Sequence, residues 1–244
     1  MSEDTSAYWR KLLELDKPLP FDPVRKYRAW YAFWRPFFFF LFEQISNLIF
    51  PVRARGLKNL KIKPPFILAS NHTSTLDYSV LMLKVPRELS LRFFAQAARD
   101  YYDNALARFF MRSFTNVIRV DRMGDFFPAL RAAAQVLRAG ESIYIAPEAA
   151  RSGSGELLPF KVGIGVLAVE LNVPVIPAYI RGTHEIMPIG VWWPKKGMIN
   201  ITFGEPLYPT IYIEKKKSLQ AYDVYKEFTE ELRRRIVELS KLPY

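Results

Sequence analysis

Cysteine is absent from the 244 residues, which excludes disulfides, thiolate metal sites and a cysteine nucleophile. Histidine is nearly as scarce. His72 and His184 are the only two, so a histidine-rich zinc site has little to be built from. Glycine numbers only 11, in a chain that is 50% hydrophobic, a composition that suits a packed domain and not a disordered one. Acidic residues are in deficit: 24 Asp and Glu against 35 Lys and Arg leave a formal charge of +11. Such an excess calls for a polyanionic partner, whether nucleic acid, an anionic membrane or a phosphate-rich carrier. Also missing is the uninterrupted run of about 20 apolar residues that a membrane-spanning helix requires. The first residues are polar and acidic, unlike a cleavable signal.

The aromatic content is concentrated. Trp30-Tyr31-Ala32-Phe33-Trp34-Arg35-Pro36-Phe37-Phe38-Phe39-Phe40-Leu41-Phe42 continues through Ile45, Leu48, Ile49 and Phe50, broken by Glu43, Gln44, Ser46 and Asn47. Pro36 is expected to kink a helix here unless one starts at it. Arg25, Lys26 and Arg28 precede the stretch, and Arg53, Arg55, Lys58, Lys61 and Lys63 follow it. Basic flanks around an interrupted aromatic segment suit an anionic membrane surface better than a duplex groove, and tryptophan and tyrosine favour headgroup depth. An earlier segment, Tyr8-Trp9 with Leu12, Leu13 and Leu15, has helical spacing as well. The expectation is therefore an N-terminal helical membrane-associating segment over residues 1–50, lying in one leaflet without spanning it, followed by a single domain over 51–244. Burial of the phenylalanine run under a soluble core is the competing reading.

From residue 65 onward, strand-like and helix-like segments alternate. Short apolar runs at 66–69, 91–96, 116–120, 142–146, 175–180 and 198–203 read as strands, most of them buried on both faces. Helical patterns occupy 76–84, 101–112, 126–138, 163–171 and 219–239, with Gly140 as an end signal for the third. The fold class expected is α/β, with a mixed, largely parallel sheet flanked by helices. Gly163-Ile164-Gly165-Val166-Leu167-Ala168 fits a dinucleotide fingerprint, but no strand precedes it, so the glycines are expected to serve helix packing. His184 follows Arg181-Gly182-Thr183 in a loop and is expected to have a structural or surface role.

The densest chemistry lies in Ser70-Asn71-His72-Thr73-Ser74-Thr75-Leu76-Asp77, between a strand-like run and a helix-like one. In a straight helix five residues turn about 500°, so His72 and Asp77 can meet only if the chain bends between them. If it does, Asp77 takes a hydrogen bond from one imidazole nitrogen and leaves the other to accept a proton. A solvated loop histidine beside a capping carboxylate is the plainer alternative.

With three further blocks in order, the chain resembles the glycerolipid acyltransferase family, whose hallmark is a His-x4-Asp motif. Val117-Ile118-Arg119-Val120-Asp121-Arg122 is similar to the second block, with Arg122 at the family's arginine. Ala146-Pro147-Glu148-Ala149-Ala150-Arg151-Ser152 is similar to the third, and Val173-Pro174-Val175-Ile176-Pro177 to the fourth. Pro159-Phe160-Lys161-Val162-Gly163 also has the family's look. The resemblance spans roughly residues 50–208 and implies a fatty acyl transfer from a thioester, acyl-CoA or acyl carrier protein, to a lyso-lipid hydroxyl; the aromatic stretch and its basic flanks place the expected attachment at the cytoplasmic face of a membrane. The acceptor implied first is 1-acylglycerol-3-phosphate, giving phosphatidic acid; another lyso-lipid or a glycolipid is the alternative. His72 and Asp77 are implied as the catalytic pair. Arg122, Arg151 and Lys161 are implied to hold an anionic head, and Glu148 to orient Arg151 or a glycerol hydroxyl. No metal and no cofactor beyond the acyl donor is implied, and no nucleic acid. A hydrolase using the same pair, and a non-catalytic binder of membrane or nucleic acid, are the rival readings. Two positions depart from the family pattern. Ala149-Ala150 stand where Gly-Thr is usual, and a Cβ at residue 149 restricts its φ. The stretch 94–99, where many relatives carry a phosphate-binding lysine, holds only Arg99.

Overall fold

The computed structural model describes residues 5–19, 28–90, 92–98, 116–120 and 126–243. Their strands form one seven-stranded sheet in the order β1-β7-β6-β2-β5-β3-β4. In chain order these are β1 (Val52–Arg55), β2 (Ile67–Ser70), β3 (Phe93–Ala98), β4 (Asn116–Val120), β5 (Ser142–Ile145), β6 (Val175–Arg181) and β7 (Ile199–Phe203). Strands β2 to β6 run parallel to one another. β7 pairs antiparallel with β6 and parallel with β1, so that edge of the sheet runs the opposite way. The sheet is mixed and largely parallel, in agreement with the alternation of apolar runs.

The helices are α1 (Thr5–Leu12), α2 (Arg28–Ile49), α3 (Asp77–Met82), α4 (Arg87–Ser90), α5 (Phe127–Arg138), α6 (Gly163–Leu171), α7 (Thr183–Ile186), α8 (Thr210–Lys215) and α9 (Ala221–Ser240). Successive side chains of a strand point to opposite faces, and the central strands therefore feed two separate cores. Ile67, Ala69, Ile143 and Val175 join Leu130, Leu137, Val166, Phe228 and Leu232 of α5, α6 and α9 on one face. Phe66, Leu68, Tyr144, Ile176 and Ile180 join Val80, Leu81 and Phe50 on the other. This double burial is why these strands read as continuous apolar runs rather than as alternating ones.

Three local outcomes differ from the expectations. α1 does not stand apart from the domain. Leu13 and Leu15, just past its end, are buried in the first core, Arg131 donates to the Leu12 carbonyl at 3.0 Å, and Arg138 donates to the Glu14 carbonyl at 3.1 Å. A boundary at residue 50 thus cuts through packed structure. α2 runs through Pro36 as one helix of 22 residues, so no helix starts at that proline and the interrupted stretch is a single element. β1 was not anticipated: it lies within the basic stretch that follows the aromatic one. The helix expected over 101–112 lies outside the described residues.

α2 is two-sided. Phe39, Phe42 and Ile49 pack against the second core, while Trp34, Phe37, Phe40, Leu41, Ile45 and Leu48 are exposed, Leu48 to 81%. At 100° per residue these six fall within an arc of about 140° on an ideal helix. No helix among the described residues is long and apolar enough to cross a membrane. In α6 the paired glycines serve packing, as expected: a Cβ on Gly165 would stand 2.2 Å from the Tyr225 carbonyl oxygen of α9.

Candidate active site

The carboxyl ends of β2, β5 and β6 lie side by side, with Ala69 level with Ile145 and Ser70 with Ala178. Loops leaving the carboxyl ends of parallel strands form the usual cleft of an open α/β sheet, and here they bring together segments that are far apart in sequence. The first loop leaves β2 through Asn71. Its side-chain amide donates to the Ile180 carbonyl at 2.9 Å and its side-chain oxygen accepts from the Ile180 N–H at 2.8 Å. The amide thus acts as one more peptide of the β2–β6 ladder, and the chain is free to turn away at the next residue, His72.

The bend required of the His72–Asp77 segment is present. Asp77 opens α3, and its Oδ2 accepts from His72 Nδ1 at 2.9 Å, from the Thr73 N–H at 2.8 Å and from the Ser74 N–H at 2.9 Å. Two backbone donors fix the carboxylate before the imidazole is considered, and charge-assisted bonds of this kind contribute about 1.5–3 kcal/mol each. The Asp77 side chain is wholly buried whereas that of His72 is 27% exposed. Solvent or substrate can therefore reach the imidazole but not the carboxylate. With Nδ1 bound to Asp77, Nε2 is left to accept a proton. Asp77 Oδ1 has no hydrogen-bond partner among the described residues. Its charge, together with burial, pushes the hydroxyl of Tyr144 above the ordinary tyrosine range, burial being the larger cause.

The third block fixes His72 from behind. Glu148 Oε1 accepts the His72 N–H at 2.7 Å, Oε2 accepts the Leu158 N–H at 2.8 Å, and the Ser152 N–H donates to the His72 carbonyl at 2.8 Å. Glu148 is 3% exposed. Burial lifts its carboxyl above the ordinary glutamate range, and the two N–H donors pull the other way. The expected pairing of Glu148 with Arg151 does not form, because both carboxylate oxygens are taken by backbone. Arg151 instead donates to Thr75 Oγ1 at 2.8 Å, which sets its guanidinium over the His72–Asp77 turn. Lys161 is exposed, and its N–H donates to the Pro147 carbonyl at 2.8 Å, tying that segment to the third block. Arg122 lies outside the described residues. Ala149, in the glycine position of the third block, holds a left-handed φ of 59°, the conformation that a glycine there would adopt without steric cost.

Sequence reasoning did not single out Asn71 or Ser152. Ser74 donates from its hydroxyl to the Met187 carbonyl at 2.6 Å. His184 packs against Gly155, where a Cβ would come within 3.1 Å of its ring, and its buried Nδ1 has no hydrogen-bond partner among the described residues. Among those residues no group of three or more His, Asp or Glu is arranged to hold a metal ion.

The family model described as Acyltransferase matches residues 51–181, the stretch that carries β1, the His72–Asp77 turn, the third block and β6. The chain belongs to this acyltransferase family. Among curated relatives it is 29% identical over 161 residues to a chloroplastic 1-acyl-sn-glycerol-3-phosphate acyltransferase of Brassica napus, covering 63% of this chain and 44% of that protein. It is 31% identical over 140 residues to the human 1-acyl-sn-glycerol-3-phosphate acyltransferase alpha, covering 55% and 47%. The chain thus spans about half the length of the curated relatives that it matches. In fold this acyltransferase is similar to the crystal structure of PlsC, the 1-acyl-sn-glycerophosphate acyltransferase of Thermotoga maritima. The TM-score is 0.63 at 24% identity, covering 86% of this chain and 83% of that one.

Proposed function

We propose that this acyltransferase moves a fatty acyl group from a thioester to the hydroxyl of 1-acylglycerol-3-phosphate, at the surface of a membrane. The observation that carries the proposal is the pairing of an accessible His72 imidazole with the buried, backbone-anchored Asp77 carboxylate. His72 Nε2 takes the acceptor's hydroxyl proton as that oxygen attacks the thioester carbon, and Asp77 stabilises the imidazolium that forms. Collapse of the tetrahedral intermediate breaks the carbon–sulfur bond. The thiolate leaves, takes the proton back from His72, and the ester remains. The acceptor itself is the nucleophile, so the reaction needs no acyl-enzyme, no metal and no cofactor beyond the acyl donor, acyl-CoA or acyl carrier protein.

Arg151 is the residue assigned to the anionic head of the acceptor, since among the described residues its guanidinium is held over the turn by a neutral hydroxyl alone. Arg122 and Lys161 are assigned the same role on sequence resemblance alone. Glu148 is reassigned from substrate contact to positioning, because both of its oxygens are committed to backbone. The exposed stripe of α2 supports attachment to one leaflet: six apolar side chains on one face are hard to leave in water, yet the helix is unsuited to spanning. What the relatives' names state of their acceptor supports the choice of 1-acylglycerol-3-phosphate.

The test is acyl transfer from labelled acyl-CoA to a panel of anionic and neutral lyso-lipids, with thiol release measured in parallel. His72→Ala should lower turnover by about 10²–10⁴-fold in a folded protein. Asp77→Asn should also lower it, even though the two backbone donors would hold the amide oxygen in place and preserve the imidazole tautomer. Arg151→Ala should weaken anionic acceptors by about 1.5–3 kcal/mol and spare neutral ones, with partial rescue by Lys. Normal turnover in a folded His72→Ala protein would sink the mechanism, and equal loss on all acceptors would remove Arg151 from head recognition.

A further inference from the structure

Residues 187–198 form a loop between α7 and β7 whose tip is the dipeptide Trp192-Trp193. These indoles are 83% and 84% exposed. Ile189 and Met198 of the same loop are exposed to 45% and 42%, and Lys195 and Lys196 beside the indoles are exposed as well. The loop is closed at its base. The Lys195 N–H donates to the Ile186 carbonyl at 2.9 Å, and the Val191 N–H to the Pro188 carbonyl at 3.1 Å. Gly197 lies flat on Ile186, where a Cβ would come within 2.8 Å. Two adjacent indoles are thus displayed on a fixed base, and large apolar side chains displayed together mark an interaction surface.

Two further observations say what covers them. The charge beside the indoles is cationic, so the complementary surface is anionic, and indole with lysine is the pair that favours the headgroup layer of an anionic leaflet. The loop is also continuous with the apolar face of α2: the Gly197 N–H donates to the Ile49 carbonyl at 3.2 Å, next to Leu48, the most exposed member of that stripe. At its other end the loop joins the His72 turn through the bond from Ser74 to the Met187 carbonyl.

We propose that the loop 187–198 is a second membrane-binding element, which seats Trp192 and Trp193 at the headgroup level of an anionic leaflet and extends the α2 stripe toward the His72 turn. This rests on the membrane-surface reading given above and assigns it a residue set on the opposite side of the chain's sequence from the aromatic N-terminal stretch.

The experiment is co-sedimentation of the full-length protein with vesicles of phosphatidylcholine alone and of phosphatidylcholine mixed with phosphatidylglycerol. Trp192→Ser/Trp193→Ser should lower partitioning by about tenfold or more on both vesicles, as the loss of buried apolar surface requires. Lys195→Gln/Lys196→Gln should lower it by about fivefold per lysine, on the anionic vesicles only. All four side chains are exposed, so thermal stability should be unchanged. If the double tryptophan variant binds vesicles as the wild type does, the inference fails. The membrane reading then survives if Phe37→Ser/Leu41→Ser still lowers binding. Wild-type protein that binds neither vesicle overturns both. Unchanged vesicle binding with a raised KM for acyl-CoA would make the loop a cradle for the donor. Unchanged vesicle binding with a loss of dimer in light scattering would make it a contact between copies. Either result overturns the lipid assignment.

Discussion

Ala149 stands where the resemblance to the family implies a glycine, and its backbone is strained. A non-glycine residue at φ 59° crowds its own Cβ against the following carbonyl, at a cost of about 1–2 kcal/mol. Its side chain is exposed and makes up none of that cost by packing. Ala149→Gly should therefore stabilise the protein by about 0.5–1 kcal/mol after the unfolded chain's extra freedom is counted, as measured by urea unfolding. A lower midpoint in the glycine variant would show that the turn is not strained. Glu148, its neighbour, makes a prediction in pH. Burial raises its folded carboxyl above the unfolded value, so its contribution to stability is fully present below the ordinary glutamate range and is lost as pH rises through the raised folded value. Glu148→Gln has no such titration and instead loses one backbone bond at every pH. The wild-type Tm should thus fall relative to that of Glu148→Gln as pH rises through this window and run parallel above it. A difference independent of pH would contradict the raised carboxyl. The sequence pointed to Glu148 but not to its task, since nothing in a residue's identity distinguishes a carboxylate that accepts backbone N–H groups from one that meets an arginine. Ser152 was missed for the same reason: its contribution to His72 is a backbone N–H, which any residue but proline supplies. Asn71 did leave a signal, a polar amide ending an apolar strand one position before the histidine.

Elements were legible wherever their apolar pattern had a single destination. β2, β5, β6 and β7 stood out because both faces or one whole face are buried, and α6 was read with its bounds as observed because its apolar run is enclosed on all sides. β1 was missed because it is an edge strand whose exposed positions are Arg53 and Arg55; charged edges guard against stray pairing and make a strand read as a basic linker. α1 was legible as a helix but not in its placement. Amphipathic spacing states that one face will be covered, not whether protein or lipid covers it. Here it is protein: Ser6 donates to Glu170 Oε1 at 3.0 Å, and Lys216 Nζ reaches the same oxygen at 2.5 Å. The Tyr225 hydroxyl also donates to it, and the Glu170 side chain is wholly buried. Removing residues 1–18 should accordingly lower Tm strongly and expose hydrophobic surface to a dye, because it uncovers a charged carboxylate as well as the seat of Leu13. A truncated protein with wild-type Tm would show that α1 is only laid on the surface. It follows that truncation cannot serve as the measure of membrane attachment, for which substitutions on the exposed stripe of α2 are the suitable means.

For the molecule as a whole, the formal charge of +11 acts at a distance while the apolar stripe acts on contact. Binding to anionic vesicles should weaken as salt is raised from low to physiological strength, where the screening length shrinks from about 30 Å to about 8 Å. A residue of salt-independent binding should remain from α2. Stopped-flow measurement of association would separate the two, with the on-rate carrying the salt dependence, and a salt-independent on-rate would remove long-range charge from the account. The seating of α1 has a consequence in time as well as in energy. Its residues are synthesised before every group that holds it, Arg131, Arg138, Glu170, Lys216 and Tyr225. At about 5–20 residues per second, roughly 10–40 s of translation separate the helix from the completion of its seat. Through that interval an amphipathic segment with basic residues waits beside whatever surface the ribosome offers, and a segment made early is enclosed only when its seat is complete.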